Sequence, residues 1–131
     1  MFTKKKFDTS IIEAIDILIR YLSEAKEKNR GNTVYLRPRK IARYYRIKRN
    51  YQKLCYCVGL VLEELMYRKL ELDMYRIHGS RVFVLPKQNI DRAIEVLKQI
   101  RSFYITHGTL PRRLLDVDEL SKVCGGSESL P

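Results

Sequence analysis

Along most of Ser10 to Lys69 the apolar residues recur every three or four positions; between Leu70 and Leu85 they alternate instead. A period near 3.6 lets a helix bury one face, and a period of two lets a strand do so. Leu72 and Met74 alternate with Asp73 and Tyr75, and Val82-Phe83-Val84-Leu85 is a second β-prone run. His78-Gly79-Ser80 between them reads as a hairpin turn. A chain that switches once from helical to strand period and back is constrained to a mixed fold: a helical body with one small hairpin.

The helices can be placed around that switch. Ser10 with Glu13 three residues on has the pattern of a capping box, and Ile11, Ile12, Ile15, Leu18, Ile19 and Leu22 continue at helical spacing, so the first helix is predicted over Ser10 to Lys28. Asn29-Arg30-Gly31-Asn32 is a turn cluster, and Thr33-Val34-Tyr35-Leu36 is a short β-prone segment. Pro38 suits the first turn of a second helix, Pro38 to Tyr45, because its missing N–H has no partner to lose there. After a basic turn from Arg46 to Arg49, a third helix is expected over Asn50 to Lys69, with Leu54, Val58, Val61, Leu62 and Leu65 inward. Pro86 ends the hairpin, and Asn89 is expected to cap a fourth helix to about Tyr104 with Ile90, Ala93, Ile94, Leu97 and Ile100 as its stripe. Gly108-Thr109-Leu110-Pro111 breaks it. The expected organisation is a basic arm over residues 1–9, a domain over 10–107, and a flexible tail over 108–131 that carries a weak amphipathic stretch, Leu114, Val117, Leu120 and Val123.

Charge narrows the function. The formal net charge is +11, which suggests a polyanionic partner. The excess is concentrated: Arg37, Arg39, Lys40, Arg43, Arg46, Lys48, Arg49 and Lys53 fall in one segment with no acidic residue, interleaved with Tyr44, Tyr45 and Tyr51. Lys and Arg displace counterions from DNA, and Tyr hydroxyls can hydrogen-bond phosphates. The opposing reading is a solvated basic loop. No apolar run reaches the roughly 18 residues that span a bilayer, and Glu13, Asp16 and Arg20 rule out a signal-peptide core in the first helix. Three cysteines without a pairing framework suggest a reducing compartment, so a cytoplasmic or nucleoid location is expected.

Other chemistry finds little support. Cys55 and Cys57 lie two apart on a helix and so point about 200° from each other, which makes a shared metal ion difficult. There is no nucleophile-base constellation, no phosphate-cradling glycine loop and no dense carboxylate cluster, so neither an enzyme nor a cofactor is expected. The richest acidic patch, Glu63-Glu64 with Glu71 and Asp73, reads as a partner for Arg68 and Lys69.

The order helix, strand, helix, helix, hairpin, helix over Ser10 to Tyr104 resembles the winged helix-turn-helix family, with an additional C-terminal helix of a kind often used for dimerisation. Ile41-Ala42 followed by Ile47 is similar to that family's pattern, which has an Ile-Ala pair in the second helix and an aliphatic residue after the turn. Arg46 stands where a turn glycine is common, and Lys48 where a capping serine or threonine is common. The resemblance implies a mainly α fold with a small β-hairpin (α+β) that binds duplex DNA and acts as a transcriptional regulator or a replication or chromatin factor. Its second helix, turn and third helix would meet the phosphates and the major groove. With Leu54 inward, Arg49, Gln52, Lys53 and Tyr56 fall outward on the first turns of the third helix and are the candidates for groove contacts. If His78-Gly79 is a two-residue turn, Arg76 and Arg81 face each other, a repulsion that a wing-bound phosphate would relieve.

A homodimer through the first and fourth helices is expected with this reading, since its two-fold geometry would put two basic segments on one side. Two alternatives stay open. A protein-interaction module within a larger complex would use the 114–123 stretch as a docking face. An RNA binder is disfavoured because the aromatics sit at helical spacing, with no sheet evident on which single strands could stack.

Overall fold

A computed structural model describes residues 9–28, 31–45, 51–68, 72–77 and 82–111. The elements run α1 (Thr9–Lys28), β1 (Thr33–Leu36), α2 (Pro38–Tyr45), α3 (Tyr51–Tyr67), β2 (Tyr75–Ile77), β3 (Val82–Pro86), a 3-10 turn (Lys87–Asn89) and α4 (Ile90–His107). The fold is mainly helical with one three-stranded antiparallel sheet, so it is α+β. No described helix is long and apolar enough to cross a membrane.

The core forms where the helical stripes meet. Ile15, Leu18 and Leu22 of α1, Ile41 and Ala42 of α2, Leu62 and Leu65 of α3 and Leu97 and Ile100 of α4 are buried in one cluster. α1 is central, packing on α2, α3 and α4. The expected inward stripe of α3 is buried throughout. The apolar stripe of α4 finds its covering surface on α1 of the same chain, with Lys26–Asp91 and Arg101–Asp16 ion pairs (both 2.7 Å) along the seam. Gly108 ends α4 in the left-handed conformation (φ 76°), and its N–H bonds the Tyr104 carbonyl (2.7 Å). That conformation strains any residue with a Cβ. Asn89 makes no side-chain capping bond; the 3-10 turn that it ends carries the chain into α4 instead.

The sheet order is β1-β3-β2. Val34 pairs with Leu85 and Leu36 with Phe83, and these four face the core. The Lys87 N–H adds a rung to the Asn32 carbonyl (2.8 Å). The second strand is shorter than the alternation implied. Leu72 and Met74 are buried in the core but lie ahead of the strand. Continuing the β2–β3 register would put Asp73 opposite Pro86, which has no N–H to donate, and Leu72 opposite Lys87, already in the 3-10 turn.

That register also corrects the hairpin reading. Ile77 pairs with Val82 and Arg76 with Phe83, so Arg76 does not face Arg81. The Arg76 guanidinium instead donates to Glu63 of α3 (3.2 Å) and lies 5.9 Å from the Phe83 ring centre. The acidic patch does partner Arg68, as expected. Arg68 pairs with Glu64 one turn earlier in α3, through Nη2 (2.7 Å) and Nε (3.1 Å), and both side chains are buried. Two charges are held out of water there, at a cost that only close hydrogen bonding offsets.

Candidate nucleic-acid interface

α2 has a sharply divided surface. Pro38, Ile41 and Ala42 are buried, while Arg39, Lys40, Arg43 and Tyr44 are exposed, as is Arg37 just ahead of the helix. Pro38, Ile41 and Ala42 hold the helix on the core, because Ile41 and Ala42 lie three and four residues after Pro38 and share its face. The Arg37 carbonyl accepts the first intrahelical bond, from the Ile41 N–H (2.9 Å). Arg37 has no side-chain oxygen with which to cap the N–H groups of the first turn, and no acidic residue stands there. Three cations thus gather at the end of α2 that already carries the positive pole of the helix dipole. Among the described residues, neither Lys40 nor Arg43 is held in an ion pair.

Beside this face runs an open groove of about 390 Å³ between the C-terminal half of α1, β1 and α2, where Tyr21, Tyr35 and Tyr44 line a wall with Lys28, Arg37 and Lys40. Tyr44 is held edge-on by two rings, Tyr45 (4.8 Å between centres, 88°) and Tyr21 (6.3 Å, 82°), yet remains 60% exposed. The Tyr45 hydroxyl donates to Glu24 (3.2 Å), and the Arg20 guanidinium lies 5.5 Å from its ring centre. Burial, and then the Glu24 carboxylate, push the Tyr45 phenol well above its ordinary range. Burial also raises Tyr21, and nearby Arg37 partly opposes that shift. Both phenols therefore stay neutral donors at physiological pH.

On α3, Gln52, Lys53 and Tyr56 are exposed and Leu54 is buried, as the wheel predicts. Arg46, Lys48 and Arg49 of the turn and Arg81 of the hairpin lie outside the described residues. Arg39, Lys40 and Arg43 of α2 are brought together with Arg37, the residue just ahead of it. Arg76 is not on that surface by its contacts, since it is bonded to α3. Cys57 is buried and Cys55 half-buried, both as thiols; among the described residues no group of His, Cys, Asp or Glu is arranged to hold a metal ion.

Three residues escaped the sequence reading: Tyr21, Tyr35 and Tyr75. Tyr35 and Tyr75 are exposed on the face of the sheet opposite the core, because each alternates with buried neighbours, Val34 and Leu36 in one case and Met74 in the other. That alternation was the available signal, and it corrects the expectation that the chain has no sheet on which a single strand could stack.

No family profile, curated protein or solved structure matches the chain.

Proposed function

We propose that this chain is a winged helix-turn-helix protein that binds duplex DNA, with α2 and the basic turn after it on the phosphates and the first turns of α3 in the major groove. The observation that carries the reading is the outward face of α2: Arg37, Arg39, Lys40 and Arg43 with no carboxylate among them, at the positive end of a helix. Such a face is self-repelling in isolation and becomes favourable against a polyanion, where each cation placed on a phosphate releases a counterion. The element order and the β1-β3-β2 sheet are those expected of a winged helix, with β2 and β3 as the wing. Arg76 is engaged by Glu63 and is not needed as a wing contact. Gln52, Lys53 and Tyr56 stand outward where base edges would be met, and Gln is suited to bidentate contact with adenine.

The test is a fluorescence-anisotropy titration of duplex DNA over a salt series. Three to four phosphate contacts by α2 alone give a slope of log K against log salt of about −2.7 to −3.6. Binding that is flat in salt, or confined to RNA, refutes the reading.

A further inference from the structure

The sheet carries an aromatic row that the duplex reading does not use. Tyr35 of β1 and Tyr75 of β2 both pair with Val84 of the central strand, one on each side. Paired residues in adjacent strands share a face, so Tyr35, Val84 and Tyr75 form one line across the sheet. That face is turned away from the core, because Val34, Leu36, Phe83 and Leu85 occupy the other. Tyr35 is 51% exposed and Tyr75 57%, whereas Val84 between them is only 3% exposed. Two strand spacings separate the tyrosines, about 10 Å. The row is not isolated, since Tyr35 also lines the groove with Tyr44, Arg37 and Lys40. The aromatic surface thus begins where the basic face of α2 ends.

A duplex has little use for such a surface, because its bases are stacked and offer no ring face. An unpaired strand does: bases stack on exposed aromatic side chains irrespective of sequence, while nearby cations track the backbone. We infer that Tyr35 and Tyr75 form a stacking platform for single-stranded DNA that continues from a duplex held on α2, so that the favoured ligand is a duplex with an unpaired extension. The proposal rests on the duplex-binding reading for the paired part of that ligand. Arg37 and Lys40, which border both the groove and the outer surface of α2, would carry the backbone at the junction.

The experiment compares a short blunt duplex, the same duplex with an overhang of several thymidines, and the same duplex with an overhang of abasic sites that keeps the phosphates and removes the bases. The thymidine overhang should tighten binding by about tenfold or more over the abasic one, the effect of stacking one or two bases. Tyr35→Val and Tyr75→Val retain strand propensity, and each should reduce that gain; Tyr75→Val, which lies away from the α2 groove, should leave blunt-duplex affinity unchanged. Tyr35→Phe, which keeps the ring, should retain it. Equal binding of thymidine and abasic overhangs, or a gain that survives in the Tyr35→Val/Tyr75→Val double variant, overturns the platform. An RNA overhang bound more tightly than the DNA one overturns the assignment to DNA. If the overhang ligand binds and the blunt duplex does not, the duplex reading fails and the platform stands; if neither binds, both fail.

Discussion

The two sides of α1 treat charge in opposite ways. Toward α4, cations are matched with anions: Lys26 meets Asp91, Arg101 meets Asp16, and Arg92 meets Glu95 within α4 itself. Toward α2, the cations Lys40 and Arg43 on the helix and Arg37 just ahead of it stand with no carboxylate in the helix, and Glu24 of α1 accepts a bond from Tyr45. Of the overall excess of +11, four cations stand on or just ahead of α2, a helix that contributes only a few residues to the core, whereas the described seam between α1 and α4 pairs its cations with anions. The contrast separates charges whose energy is spent on folding from charges whose energy is available to a ligand, and mutation can test whether that separation is real.

The largest effect should come from the paired class. Glu64→Ala leaves the buried Arg68 guanidinium uncompensated, with Nη1 already lacking a partner. Removing one member of a buried pair costs about 3–5 kcal/mol. Denaturant unfolding should show a loss of that size, and Glu64→Leu with Arg68→Met should recover most of it, because no charge then remains to be desolvated. A loss below about 1 kcal/mol for Glu64→Ala would mean that water reaches Arg68 and that the pair belongs with the surface bridges.

The next effect belongs to the unpaired class. Arg37→Gln, Lys40→Gln and Arg43→Gln together should leave stability within about 0.5 kcal/mol, since all three are exposed. Duplex binding should weaken several-hundredfold at about 0.1 M salt, with the salt slope flattened by about 2.7. Titration at two salt concentrations beside a melting curve reads both halves. A triple variant that melts early but binds normally would invert the proposed division of labour.

Gln52→Ala addresses whether α3 reads bases. If its amide makes a bidentate contact, discrimination between a preferred duplex and a scrambled one should fall by about 1–3 kcal/mol, with non-specific binding nearly unchanged. If both affinities fall together, Gln52 only supports the backbone and the protein is sequence-neutral.

What was legible in the sequence follows from how local each determinant is. The bounds of α2 and of the first strand could be read because Pro38 and the Thr33–Leu36 run act through nearest neighbours. The hairpin register could not, because it depends on which residue of β3 meets Arg76, and the slip that put Phe83 there moved the guanidinium onto Glu63 of a different element. The basic face was visible as composition, since nothing acidic interrupts it. The aromatic row was hidden for the opposite reason: Tyr35 and Tyr75 are distant in sequence, and only the order β1-β3-β2 sets both beside Val84.

The smallest predicted effect is the most direct check on the paired side. Arg101 donates to Asp16 through Nε (2.7 Å) and Nη2 (3.3 Å), a two-point contact between α4 and α1 with both side chains partly exposed. Exposure lets water and salt compete, so a double-mutant cycle with Arg101→Ala and Asp16→Ala should give a coupling of about 0.2–1 kcal/mol, diminishing as salt is raised. Neither variant should change duplex affinity more than about twofold, because Asp16 and Arg101 lie on the seam that has already neutralised its charge. Asp16→Ala raises the net charge by one, as a diffuse electrostatic attraction would register. If that variant tightens binding as much as Lys40→Gln weakens it, the total charge governs association and the localisation on α2 has no functional weight. If binding is indifferent to Asp16 and sensitive to Lys40, position on the molecule decides, and the contrast between the two sides of α1 is the basis of recognition.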